Sequence, residues 1–144
     1  MTQIEHTETG RPRALDHVGI VVASTEDAIA YFSGRLGFPV VHQETFETPP
    51  VRLSYVDCGN AFLQLIEPVG PSPLADALEQ KGEGVHHVCF GSTDPLETAA
   101  ALADPGAPDP VEGRGRGLRS AFVPGAPHHG VLVECNEFTP ARGA

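Results

Sequence analysis

Four polar residues sit inside otherwise apolar stretches of this 144-residue chain, and their spacing repeats. His17 lies in LDHVGIVV and His87 in VHHVCFGS, 70 positions later, while Gln64 lies in FLQLIE and Glu134 in VLVECN, again 70 apart. Each half therefore carries a histidine and, 47 positions on, an amide or a carboxylate. A duplicated unit places equivalent residues around a common axis. Two imidazoles, an amide oxygen and a carboxylate gathered in that way form a nitrogen and oxygen donor set without thiolate. Such a set suits one divalent ion of Co, Ni, Mn, Fe or Zn and is poor for calcium. Each residue taken singly has a plainer alternative, a half-buried polar group satisfied in the core; the shared offset is what singles out the four.

Strand parity agrees with this grouping. Successive side chains of an extended chain point to opposite faces, so Val18, Ile20 and Val22 share one face and His17, Gly19 and Val21 the other. In GEGVHHVCF, His87 takes the parity of His17. His86 falls with Val88 and Phe90, where it is expected to close the strand against a helix layer or bond a local carbonyl. Cys89 shares the face of His87 and reads as a pocket wall rather than a ligand. Gln64 and Glu134 interrupt apolar strands, and a polar group buried there without a partner costs on the order of a lost hydrogen bond, about 1–3 kcal/mol.

The elements that must position these residues repeat as well. ALDHVGIVV reads as a strand. Ser24 with Asp27 three residues on forms an N-cap signal, and Ala28, Ile29, Phe32 and Leu36 recur at helical spacing up to Gly37. FPVVHQETF, VRLSYVDCG and NAFLQLIEP follow as strands, separated by the ETPP and GN turn signals. A connector with a short helix capped near Ser72 leads to the strand GVHHVCFGS and the helix TDPLETAAALAD, with Pro95 near its first turn. Weaker strand signals in DPVEG and GLRSAFVPG precede the apolar strand GVLVECNEF. The reading is α+β, strand-helix-strand-strand-strand twice. One domain is expected over 14–138, with modules 14–69 and 83–138, connector 70–82, a polar arm 1–13 that includes His6, and a tail 139–144.

Composition narrows the function. A formal net charge of -10 argues against a binder of nucleic-acid phosphates, which needs a basic face. No apolar run approaches 18 residues and no leader pattern is visible, so neither membrane association nor export is expected, and the cytoplasm is the expected location. The cysteines, Cys58, Cys89 and Cys135, are odd in number and lack C-x-x-C spacing, which argues against a disulfide framework or a zinc finger.

LDHVGIVV, AFLQLIEPVGPSPLADALEQKGEGVHHVCF and GVLVEC together resemble the vicinal oxygen chelate (glyoxalase/bleomycin resistance/dioxygenase) superfamily, and within it most closely the methylmalonyl-CoA epimerases. The resemblance implies paired βαβββ modules forming a cupped mixed sheet around one metal site, with His17, Gln64, His87 and Glu134 as the metal ligands. It implies an isomerase that removes and returns a proton at a carbon next to a chelated carbonyl, with Glu134 both ligand and proton carrier. A small-molecule substrate, an acyl-CoA among the options, and a homodimer are expected, with the cup closed within one chain or across the pair.

The chain also departs from that pattern. Some epimerases carry an acidic residue on the third strand of the first half, where PPVRLSYVD offers Arg52 and Leu53. Glu44 and Glu47 precede it and could substitute, although a solvated loop face is their simpler role. The loop before the last strand usually reads H-P-K, with the lysine available to coenzyme A phosphates; here it is FVPGAPHHG, with Pro124 and Ala126 in those places and His128 and His129 expected to be loop-exposed. Recognition of coenzyme A would then fall to Lys81, Arg114, Arg116 or Arg119, and GRGRGLR reads equally as an anion-binding loop or a solvated turn. The alternatives are a glyoxalase-like lyase or Fe(II) dioxygenase acting on a non-CoA biosynthetic intermediate, and a sequestering protein of the same superfamily, which the intact four-residue set counts against.

Overall fold

The computed structural model describes residues 11–138. Most of the expected arm, with His6, and the whole tail 139–144 lie outside the described residues. In chain order come β1 (Leu15–Val21), α1 (Thr25–Ile29) with a π-helical continuation (Ala30–Arg35), β2 (Val40–Glu47), β3 (Pro50–Asp57), β4 (Phe62–Pro68), α2 (Pro73–Lys81), β5 (Gly84–Ser92), α3 (Pro95–Leu102), β6 (Gly113–Gly115), β7 (Leu118–Phe122) and β8 (Leu132–Glu137). This is an α+β chain of two βαβββ modules with α2 between them. Its described residues form two compact units, His17–His87 and 11–16 with 88–138.

In the first unit the strands run in the order β2-β3-β4-β1. β1 lies parallel to β4, while β2, β3 and β4 pair antiparallel. The alternation read from β1 decides what each face buries. Ile20 and Val22 pack with Ala28, Ile29 and Phe32 of the helix and with Val56 and Leu65, whereas Val21 joins Val51, Leu53, Tyr55, Phe62 and Ile66 on the opposite face. Phe46 and, from α2, Leu74 and Leu78 pack on that second cluster. The Ser24 side chain accepts from Asp27 N–H as its spacing predicts. The helix reaches the expected Gly37 stop only by widening into a π turn across Ser33 and Gly34, weak helix formers. α2 starts from Ser72, whose side chain accepts from Ala75 N–H, and ends at Gly82 with φ 82°.

In the second unit the order is β5-β8-β7-β6. The two residues just before β1 bond to the end of β5, through Arg13 N–H to Gly91 O and Gly91 N–H to Ala14 O, both 2.8 Å. α3 is capped by Asp94 and buries Pro95, Thr98 and Ala99, small groups that let it lie close to β7 and β8. The strand expected in DPVEG is displaced, because residues 109–112 are irregular and β6 begins at Gly113. Pro110 has no N–H to give a ladder. The β6–β7 hairpin instead takes its register from Arg116 and Gly117, at φ 56° and 77°, the positive pair that a tight two-residue turn requires.

Candidate metal centre

On β1, His17 is 3% exposed, and its ring meets His87 from the start of β5, itself 2% exposed. The two Nε2 atoms are 3.1 Å apart. Two nitrogens each about 2.0–2.1 Å from one ion, at an angle of roughly 90–110°, stand roughly 2.8–3.4 Å from one another. The pair therefore fits adjacent ligation of a single divalent ion.

Gly19 makes the room for this pair. A Cβ built on Gly19 would stand 2.2 Å from His87 Cε1, 2.6 Å from Nδ1 and 2.7 Å from Nε2. A glycine inside an apolar strand is the sequence signal for such a close approach, although strand parity alone does not single it out.

Gln64 lies on the same face, opposite Gly19 in β1 and opposite Tyr55 in β3. Its Nε2 donates to the Tyr55 hydroxyl at 2.8 Å, which supplies the partner a buried amide needs and turns the amide oxygen the other way. The Tyr55 ring also stacks edge-on with His17, centroids 5.9 Å apart. Tyr55, 1% exposed, thus positions two of the four predicted residues, and only the cross-strand register brings it to them.

His86 does more than its expected role. Its Nδ1 is 2.8 Å from Nδ1 of His87, so the proton of one ring faces the lone pair of the other. With Nδ1 occupied in this way, His87 directs Nε2 toward His17, and the protonation of one nitrogen fixes what the other can do. Strand parity separates Cβ directions, not the inner nitrogens of adjacent imidazoles.

Glu134 belongs to the second unit, where β8 holds it opposite Phe122 and buries it to 9% exposure. Cys89 and Cys135 lie around it. Burial pushes both thiols up, and the Glu134 carboxylate adds to it; Cys135 reaches about 11 and Cys89 rises well above its ordinary range. The structure thus gathers His17, Gln64 and His87 within the first unit and gives Glu134 the repeat-equivalent strand position in the second.

The basic residues considered for coenzyme A divide. Arg116 gives both guanidinium ends to buried Asp16, at 3.2 and 3.0 Å, and is held as a structural clamp. Arg119 lies 3.7 Å from Glu112 and 3.8 Å from Glu137. Arg114 reaches the Gly117 carbonyl from an exposed position, and Lys81 is exposed. His128 and His129 are exposed as expected, His128 lying 3.2 Å from Asp104. Glu44 is not in a loop: it lies on β2 opposite Leu53 and is half-buried, whereas Glu47 ends that strand facing solvent.

Among the described residues, no helix is long and apolar enough to cross a membrane. Residues 16–122 match the family described as the glyoxalase/bleomycin resistance protein/dioxygenase superfamily. The chain is 38% identical over 128 residues to the uncharacterized protein YqjC of Bacillus subtilis, covering 85% of this chain and 91% of that one. It is 32% identical over 95 residues to an ethylmalonyl-CoA/methylmalonyl-CoA epimerase of Cereibacter sphaeroides, covering 65% of this chain and 71% of the relative. A variant of Streptomyces coelicolor methylmalonyl-CoA epimerase in complex with 2-nitronate-propionyl-CoA superposes with TM-score 0.75 at 30% identity, covering 88% of this chain and 98% of that one.

Proposed function

The chain belongs to the glyoxalase/bleomycin resistance protein/dioxygenase superfamily, and from that membership we propose that it is a metal-dependent epimerase of the methylmalonyl-CoA epimerase type. His17, Gln64, His87 and Glu134 are its metal ligands and Glu134 is a proton carrier. The observation that carries the reading is the buried His17–His87 pair at 3.1 Å, made possible by Gly19. A bound divalent ion would supply Lewis acidity at a substrate carbonyl oxygen, which lowers the cost of losing the neighbouring α-proton.

The chain's own groups then have distinct tasks. His86 holds the tautomer of His87, and Tyr55 holds the amide of Gln64. Apolar residues of the same face, Val21, Leu53 and Ile66, keep water from the reacting carbon, which strengthens every charge interaction near it. The Glu134 carboxylate takes the α-proton, leaving a planar carbon to which a proton returns on either face. The protein works in the cytoplasm as a homodimer under this reading, with an acyl-CoA of a 2-substituted malonyl type as substrate.

The test is metal analysis of the purified protein together with α-proton exchange on methylmalonyl-CoA in D2O. Deuterium entry that a chelator abolishes and one of Co, Ni, Mn, Fe or Zn restores supports the proposal; exchange indifferent to chelation refutes it. The pairing of Arg116 and Arg119 within the chain favours a second reading, a glyoxalase-like lyase or Fe(II) dioxygenase with a smaller, non-CoA substrate. Oxygen uptake with ferrous iron would select the dioxygenase.

A further inference from the structure

The two units differ in the row of residues next to the proposed ligand of each. In the first unit, the row beyond Gln64 joins Val21, Ile66 and Leu53 across β1, β4 and β3, and all three are buried and apolar. Asn136 stands 70 positions after Ile66 and takes its place in the second unit. Ser120 of β7 lies opposite Asn136 of β8, and Gly113 of β6 lies opposite Ser120. Residues directly opposite each other share a face, and so do Glu134 and Asn136, two apart on one strand. The row beyond Glu134 is therefore an amide, a hydroxyl and a glycine, where its counterpart holds Ile66 and Leu53.

This polar row is buried without being satisfied. Asn136 is 4% exposed and Ser120 6%, as deep as Gln64 at 5% and Glu134 at 9%. Asn136 Oδ1 is buried and has no hydrogen-bond partner among the described residues. Burying an acceptor in that state costs free energy that a bound donor restores. Gly113 keeps the hydroxyl uncrowded, since a Cβ there would stand 3.3 Å from Ser120 Oγ, closer than ordinary contact. Alternate residues of a strand are about 6.6 Å apart. A group hydrogen-bonded to Asn136 therefore lies about two or three bonds from a carbon in contact with Glu134.

We propose that Asn136 and Ser120 are specificity-determining residues that take a hydrogen-bond-donating substituent on the reacting carbon, a hydroxyl or a carboxamide rather than an alkyl group. The inference rests on the epimerase reading, with Glu134 as proton carrier, and names the 2-substituent of its malonyl-type substrate. Asn136 Oδ1 accepts from the O–H or N–H of the substituent. The Ser120 hydroxyl donates to the substituent's oxygen. A hydroxyl and a carboxamide each carry both a donor and an acceptor, so either satisfies the pair. An alkyl group of the same shape fills the space and leaves both side chains unpaired, and that difference sets the discrimination.

The test reads α-proton exchange in D2O by the metal-loaded protein on coenzyme A thioesters of two malonates of matched shape, 2-carbamoylmethyl and 2-isobutyl, with methylmalonyl-CoA as reference. The parent exchanges the carbamoylmethyl thioester with kcat/KM about 10–100-fold above the isobutyl one. Asn136→Leu, of similar shape, brings the two within about threefold while metal content stays as in the parent. Its urea midpoint does not fall, because the oxygen removed has no partner. Ser120→Ala narrows the preference by about three- to tenfold. A parent that exchanges methylmalonyl-CoA but treats the matched pair within about threefold, or an Asn136→Leu variant that keeps the parental preference, overturns the proposal. Absence of exchange by the parent on all three thioesters overturns the epimerase reading itself and this inference with it.

Discussion

Replacing Gly19 by alanine isolates the most demanding contact of the proposed centre. Gly19 sits in a strand without positive φ, so alanine suits its backbone, and Gly→Ala there is intrinsically favourable by about 0.5–1 kcal/mol. The new Cβ would, however, stand 2.2 Å from His87 Cε1, where ordinary contact begins at 3.4 Å, so the ring must retreat by the 1.2 Å difference or more. Overpacking of this kind costs about 1–3 kcal/mol. The net expectation is a destabilisation between about 0 and 2.5 kcal/mol, read from urea unfolding. The three atoms nearest the new Cβ all belong to His87, so in a His87→Ala background the same substitution should turn neutral or stabilising, a coupling of about 1–3 kcal/mol in the double-mutant cycle. Moving the ring also breaks the 3.1 Å approach to His17. Metal affinity, measured by chelator competition, should fall at least about 100-fold, or about 2.8 kcal/mol. Gly19→Ala with metal affinity within threefold of the parent and no coupling to His87 would refute the reasoning.

Arg116→Ala removes both bonds to an Asp16 that is 5% exposed and should cost about 3 kcal/mol in urea unfolding, with the Asp16→Ala/Arg116→Ala pair milder than the sum of its singles; a loss below about 1 kcal/mol would count against the clamp. His86→Ala should keep the fold but weaken metal binding about 10–100-fold, through loss of the Nδ1 contact that orients His87. Chelator competition reads this directly, and affinity equal to that of the parent would reduce His86 to a spacer.

Much of the architecture is legible in the residues because it depends on local periodicity. The period-two pattern of VGIVV assigns Ile20 and Val22 to the helix face and Val21 to the other, and the clusters divide accordingly. Ser24, Ser72 and Pro95 announce helix starts by chemistry that acts within three or four residues. The DPVEG strand misleads because its apolar content is too low to decide a register that the Arg116-Gly117 turn imposes from downstream. Glu44 is misjudged for a similar reason: a charged residue near a Pro-rich turn looks solvated until the pairing with Leu53 sets its face.

The site divides along the same line. The 70-residue offset names His17, Gln64, His87 and Glu134 without any coordinates, since duplication of a module preserves position within it. Tyr55 against Gln64, His86 against His87 and the space above Gly19 follow from cross-strand register and side-chain rotamers. The sequestering of Arg116 by Asp16 joins residues 100 positions apart. Such pairings are non-local: the identity of each residue leaves its partner open, and only the packed strands decide which groups meet. The sequence by itself determined the module, its faces and the proposed ligands; the tertiary structure decided which groups position those ligands and which charges are already engaged.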